Sequence, residues 1–439
     1  MKKAVITGFG IVSPFGLGWE HWICGLKNGV SATRAIALFD PSHPLRGYDA
    51  PRSPGDDGAA REVSKTRDAV ALGCRVAAEV PDFEPRRWLD ERDFDRVPRV
   101  VPLALAATRE ALCRAGLDDL SPAEKAAIDV VVGSGGGGFS FAEEQFARWF
   151  GSGKGLSPYA ISSSIAGMLS SEISIAHGFR GRSHTFSNGC TSSSDALGNA
   201  LDLIRSGRAT TVLSGGADGC VTPAMMNGFC LMRAVPTHWN DKPEQASRPF
   251  SLDRDGFVLG EGAWIFVVEE ESHARARGAR IWAEIAGHGA TCEAYHRVAL
   301  GEPDEAARAM TLALRDAAVA PADVDYVNLH GTATQLNDPL ETQAVKIALH
   351  EYSYSTPMSS TKSQIGHPQG ASGAAGIAAA LCAMHEGLVP PTINLDTPDP
   401  RCDLDYVPHT ARKVDVDVAL CNCLGFGSKN SALVLRRRD

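Results

Sequence analysis

No run of about 18 apolar residues occurs in this 439-residue chain, which excludes a membrane-spanning helix. Positive charge is also in short supply. The 43 Lys and Arg residues face 52 Asp and Glu, a formal net charge of −9. That balance argues against nucleic acid as a main partner, because phosphate binding requires clustered cations. An acidic protein partner would in turn need a local basic patch. Metal-binding spacing is missing: the 11 cysteines form no Cys-x-x-Cys pair, and no His-x-x-x-His occurs. Cys421 and Cys423 are too close and too isolated for a zinc knuckle. An odd, unpatterned set of cysteines reads as reduced thiols in a cytoplasmic protein. The N-terminus imitates a secretion signal, but Gly8, Gly10, Pro14 and Gly16 interrupt its apolar run and no small-residue cleavage pattern follows. The glycine run at residues 133–138 lacks the Lys-Ser/Thr of a phosphate loop and reads instead as a wall that something approaches closely.

What is present is an ordinary globular composition, 44% apolar and 22% charged, long enough for two cores or one large duplicated one. Strand and helix patterns alternate, which predicts an α/β fold. Residues 4–7 read as a buried strand entering a glycine turn, residues 44–64 as a Pro/Gly/Asp-rich loop, residues 100–115 as a helix, and residues 129–133 as a buried strand. Two segments share one build. A strand at 184–188, Gly189-Cys190, a helix and a strand at 210–216 form the first. A strand at 358–363, Gly366-His367, a helix at 371–386 and the loop at Pro390-Pro391 form the second, each helix ended by a glycine, Gly207 or Gly387. They predict two related halves, 1–270 and 271–439.

Four residues stand out for chemistry. Cys190 falls where a strand gives way to a helix whose apolar face is Leu197, Leu201 and Ile204; Ser192 and Asp195 resemble a capping box. A helix start favours a thiolate, although most cysteines in apolar surroundings are inert. His330 closes a strand at 326–329, ahead of Asp338 as N-cap, Pro339 as first helical residue and Glu341 as capping-box acid. His367 closes the second strand–turn unit, with Lys362 five residues earlier. A Cys–His–Asn protease remains open on residue types alone. Neither it nor metal binding explains why both histidines end glycine-flanked strands.

Taken in order, these motifs resemble the β-ketoacyl-acyl carrier protein synthases, the elongating condensing enzymes of fatty acid and polyketide synthesis. The resemblance runs from Val5-Ile6-Thr7-Gly8 to Gly425-Phe426-Gly427. It includes Cys190, His330-Gly331-Thr332-Ala333-Thr334, Ser360-Thr361-Lys362 through Gly366-His367, and the stretch from Ala246 to Gly262. It implies a thiolase-like five-layer α-β-α-β-α fold and a dimer, either of identical chains or with a related chain-length subunit. It also implies a decarboxylative Claisen condensation of a Cys190-bound acyl chain with malonyl carried on acyl carrier protein. Cys190 and Phe426 would supply oxyanion N–H groups, and His330 and His367 would donate to the enolate. Lys362 would orient the site, and Thr332 and Thr334 would contact the phosphopantetheine arm. Arg233 would dock the carrier, with Arg96, Arg99 and Lys154 as weaker candidates. No metal or redox cofactor is implied.

The chain departs from the family pattern at several points. Gly136 stands where elongators carry a bulky residue lining the acyl pocket, which predicts a wider or longer pocket. Gly376 stands where a glutamate is usual. Gln369 follows His367-Pro368, as in polyketide ketosynthases. Leu424 replaces an aromatic, and Ser428-Lys429-Asn430 replaces Gly-Thr-Asn. These features favour a specialised ketosynthase over a housekeeping elongation enzyme, with a thiolase or a chain-length subunit as further alternatives.

Overall fold

The computed structural model describes residues 1–44 and 71–438. The loop expected at 44–64 therefore lies, apart from Pro44, outside the described residues.

Ten strands form the main sheet path. The first five are β1 (Ala4–Ser13), β2 (Asp129–Gly133), β3 (Ser183–Phe186), β4 (Thr211–Asp218) and β5 (Gly262–Glu270). The second five are β6 (Ala283–Cys292), β7 (Tyr326–Asn328), β8 (Met358–Ser359), β9 (Val418–Gly425) and β10 (Lys429–Arg436). In space the first set runs β3-β2-β4-β5-β1 and the second β8-β7-β9-β10-β6, the same permutation twice. In each set the first two pairings are parallel and the last two antiparallel. The sets join where β1 pairs antiparallel with β6, Ala4 opposite Ile285.

Five helices complete the frame: α1 (Val100–Ala115), α2 (Ser192–Arg205), α3 (Pro303–Asp316), α4 (Asn337–Leu349) and α5 (Ser372–Glu386). α1 packs on β1 and β5, and α3 on β6 and β10. α2 and α5 pack on each other and touch strands of both sets. The result is an α/β fold of five layers, with α2 and α5 as the central one. Their composition suits that position. Residues 372–384 of α5 are all buried, and its Ala and Gly side chains are small enough for close approach on every side. A Cβ on Gly373 would lie 1.9 Å from Ser194 Oγ of α2. Strands covered on both faces are apolar throughout rather than alternating; in β5 the residues Ala263, Trp264, Ile265, Phe266, Val267 and Val268 are all buried.

The helix at 100–115 and the strand at 129–133 match the sequence reading residue for residue. Other local readings are corrected. Gly8 and Gly10 do not turn the chain; β1 continues through them to Ser13. Their missing side chains instead admit α1, whose Ala111 and Ala107 carbonyl oxygens would lie 2.3 and 1.9 Å from an added Cβ. The strand expected at 358–363 is only Met358–Ser359, and Lys362 begins a one-turn helix, Lys362–Ile365. Neither capping box forms. α4 starts at Asn337, and the Asp338 carboxylate accepts from the N–H groups of Phe250 (2.7 Å) and Thr332 (3.1 Å). Asp195 accepts from Asn188 Nδ2 (2.8 Å) and Thr191 Oγ1 (2.9 Å) rather than from Ser192. For Asp338 a distant backbone donor, and for Asp195 side chains of the preceding turn, take the place of the cap.

Candidate active site

Each reactive side chain follows a strand end. Cys190 sits in the single 3-10 turn Gly189–Thr191 between β3 and α2. Gly189, at φ 64°, makes the turn that a side chain would strain. His367 follows β8 and precedes the turn into α5, and His330 lies just beyond β7. Because α2 and α5 start side by side between the sheets, these strand ends converge. Cys190 Sγ lies 3.2 Å from His367 Nε2. The two imidazoles stand edge to face with centroids 5.2 Å apart, and one nitrogen of each lies within 4.8 Å of the sulfur and of the other. All three residues line a cavity of about 270 Å³, together with Thr332, Thr334, Leu424 and Phe426. Exposed Arg233 stands at its rim.

The hydrogen bonds around His367 fix its tautomer. The Gln369 backbone N–H donates to Nδ1 at 3.1 Å, and Ser372 Oγ lies 2.9 Å from the same atom. A backbone N–H can only donate, so Nδ1 accepts and the neutral ring carries its proton on Nε2, facing Cys190. Burial, and then the charge of Lys362, hold both histidines well below the usual imidazole range. They are therefore neutral at ordinary pH.

Burial also decides the state of Cys190. The helix start predicts a thiolate, yet loss of solvent pushes the thiol up to about 11, against the pull of Lys362 and of the Phe426 and Cys190 N–H groups. The sulfur is therefore held as a thiol at ordinary pH. The same two N–H groups are the pair expected to hold an oxyanion.

Lys362 is buried behind the cavity rather than lining it. Desolvation lowers its pKa, opposed by Cys423, Glu341, Cys190 and Asp338. Glu341, read from sequence only as a cap, is the nearby buried carboxylate. It accepts from the N–H groups of His330 and Gly331, and from Asn422 Nδ2, each at 2.7 Å. Desolvation raises the Glu341 carboxyl, opposed by these donors and by Lys362. Gly376 itself has little room, since a Cβ there would meet Asn328 Oδ1 at 2.7 Å.

The expectation of extra space at Gly136 is corrected. A Cβ there would fall 2.0 Å from Cys220 Sγ, so Cys220 fills the place, and Gly136 does not line the cavity holding Cys190. What fixes that loop is Asp218, which the sequence reading missed. Its buried carboxylate accepts from the N–H groups of Gly135 (2.8 Å), Gly136 (2.9 Å) and Gly370 (2.6 Å) and from Ser134 Oγ (2.8 Å). It ties the glycine loop to the turn that carries His367. No spacing rule links position 218 to 135 or 370.

Of the basic candidates, Arg99 is spent on the buried Glu261 carboxylate through bonds of 2.7 and 2.8 Å. Arg96 pairs with Asp93 and lies over Tyr159. Lys154 is exposed and away from the cavity lining. Chemically, Cys190, His330 and His367 could ligate a soft divalent ion such as zinc. The Lys362 charge, which acts on all three, opposes a cation there.

Comparison with known proteins agrees with this geometry. Residues 1–274 match the family description "Beta-ketoacyl synthase, N-terminal domain", and residues 282–396 match "Beta-ketoacyl synthase, C-terminal domain". The chain is 38% identical over 441 residues to 3-oxoacyl-[acyl-carrier-protein] synthase 2 of Synechocystis sp., covering 99% of this chain and 98% of that one. It is 39% identical over 443 residues to a putative polyketide beta-ketoacyl synthase 1 of Streptomyces cyaneus, with the same coverage. Among solved structures, a beta-ketoacyl synthase from Burkholderia phymatum superposes over all of both chains with a TM-score of 0.87 at 32% identity. A type II polyketide ketosynthase in complex with its acyl-carrier protein and bound to the hexaketide does so with a TM-score of 0.86 at 28% identity. Matched along most of its length by both domains and along nearly all of it by these relatives, the chain belongs to the β-ketoacyl synthase family of acyltransferases.

Proposed function

We propose that this chain is a ketosynthase that condenses a Cys190-bound acyl group with a malonyl unit, both delivered on the phosphopantetheine arm of acyl carrier protein. The observation that carries the reading is the approach of Cys190 Sγ to His367 Nε2, 3.2 Å, inside a cavity that Phe426, Thr332 and Thr334 also line. Thiolate attack on the incoming thioester exchanges one thioester for another of similar energy, and the chain waits on Cys190. The tetrahedral oxyanion is held by the N–H groups of Cys190 and Phe426. Malonyl thioester then loses CO₂, and the enolate oxygen accepts from the Nε2–H of His367, with His330 as the second imidazole of the site. The enolate carbon attacks the acyl carbonyl and Cys190 leaves as a thiolate. Lys362 keeps positive charge close, and Thr332 and Thr334 meet the arm. Arg233 docks the acidic carrier. The chemistry needs no metal or redox cofactor.

The halves 1–270 and 271–439 are proposed as duplicated units, one carrying the cysteine and the other both histidines. The working assembly is a homodimer or a pair with a chain-length subunit, in the cytoplasm. Gln369, Gly376 and Leu424 favour a specialised polyketide or fatty-acid-like pathway. The test is incubation with a panel of acyl-carrier thioesters, then malonyl-carrier. Mass added at Cys190 and a β-keto product support the reading. Turnover of acetyl-coenzyme A alone, or no mass at Cys190, favours a thiolase or a chain-length subunit instead.

A further inference from the structure

Cys423, on β9, makes two contacts inside the site. Its Sγ lies 3.1 Å from the Cys190 carbonyl oxygen and 3.5 Å from His330 Nδ1. A thiol has one proton, and a carbonyl oxygen can only accept. The shorter contact therefore uses the proton. Toward His330 the sulfur then offers lone pairs, which an Nδ1–H of the ring would meet. Burial keeps Cys423 protonated by raising its pKa well above the ordinary thiol range. A neutral imidazole holds one N–H, so that tautomer leaves Nε2 of His330 bare. His367 is the reverse, with Nδ1 accepting from Gln369 and the proton on Nε2. With that form at His330, two rings 5.2 Å apart would present opposite tautomers to one cavity.

We infer that Cys423 is a positioning residue that holds His330 in its Nδ1–H form, making Nε2 of His330 the proton acceptor for Cys190 while His367 remains the donor. This rests on the thioester chemistry proposed above, and it answers a need of that chemistry. Burial holds Cys190 as a thiol, which must lose its proton to attack. His367 cannot take it, because its Nε2 is already protonated and its Nδ1 is engaged by Gln369 and Ser372. Nε2 of His330 can. In the balanced step the Cys190 proton passes to His330 Nε2 and the sulfur bonds to the acyl carbon. The bond from that carbon to the carrier's sulfur breaks, and the departing thiolate takes the proton from His330. One thiol and one thioester become another thiol and thioester, with no redox change. Family resemblance gives both rings the same donor role; the hydrogen-bond inventory separates them.

The test combines nitrogen NMR with the half-reactions. The full-length protein is labelled with ¹⁵N-histidine, and the His330 signals are identified by their loss in His330→Gln. Near neutral pH the ring is expected to show a protonated Nδ1 and an unprotonated Nε2. In Cys423→Ala it is expected to shift toward the other tautomer, and acylation of Cys190, read by quenched intact mass, to slow roughly tenfold or more. Cys423→Ser, whose hydroxyl keeps one proton and free lone pairs, is expected to restore both. A wild-type ring protonated on Nε2, or wild-type acylation in Cys423→Ala, overturns the inference. Should the alanine variant not fold, the wild-type spectrum decides alone. A wild-type protein that no acyl-carrier thioester acylates would instead refute the ketosynthase reading, and the spectrum would still decide what Cys423 does to the ring.

Discussion

At Cys190, burial and reactivity pull in opposite directions. The cavity that excludes water also removes the solvent that would stabilise the anion, so the thiol is pushed up to about 11 despite the helix start. Replacing Cys190 by Ser or Ala changes one small buried group. Either variant is expected to abolish acyl transfer, measured by intact mass after incubation with acyl-carrier thioester, with an unchanged circular dichroism spectrum. His367→Ala is expected to leave Cys190 acylation measurable and to slow β-keto product formation by two to three orders of magnitude, on the order of the loss of one oxyanion donor. The histidines also tie stability to pH. Both are neutral when folded and ordinary imidazoles when unfolded, so below about pH 6.5 the unfolded chain binds more protons. Their contribution is complete above that pH and falls below it by about 1.4 kcal/mol per pH unit per ring. His330→Gln is expected to remove one such increment from the slope, read by urea denaturation at a series of pH values.

Among the elements, the starts of α2 and α5 carry the site, and glycines set how close they come. A Cβ on Gly133, at the end of β2, would sit 2.3 Å from the backbone of Ser192 and Ser193. Backbone cannot swing aside as a side chain can. Gly133→Ala is therefore expected to cost about 1–3 kcal/mol in chemical denaturation. Because α2 follows directly on Cys190, it is also expected to slow Cys190 acylation. Sequence pattern located α1 and β2 to the residue, since sixteen helical residues, or three consecutive valines running into a glycine, leave little choice. It misread Gly8 and Gly10 as a turn, because a glycine needed for a helix pressed against a strand looks the same in one dimension as a glycine needed for a bend. Asp338 and Asp195 were misread as caps for a similar reason: their nearest donors in space are far off in sequence or off the expected register.

For the whole molecule, a net charge of −9 and an acidic carrier repel each other unless cations gather at the entrance. Arg233 is the basic side chain proposed for that task. Arg99 is taken by Glu261 and Arg96 by Asp93. Arg233→Glu is expected to raise KM for carrier-borne substrate several-fold, more steeply at low salt, while leaving acylation by a small thioester of the same acyl group unchanged. The repeated permutation of strands is a second property of the whole. It brings the turn after β3 next to the turn after β8, so that a cysteine and a histidine 177 residues apart come within 3.2 Å.

By itself the sequence determined the alternation of strand and helix, the three reactive residues and the strand ends that carry them, because hydrophobic period and glycine-flanked turns are local properties. Only the tertiary structure decided the burial that raises the thiol, the hydrogen on His367, the use of Asp218 and Glu341 as clamps, and the filling of the space at Gly136 by Cys220. Each of these depends on burial or on a donor brought in from another part of the chain, and neither is encoded in residue spacing.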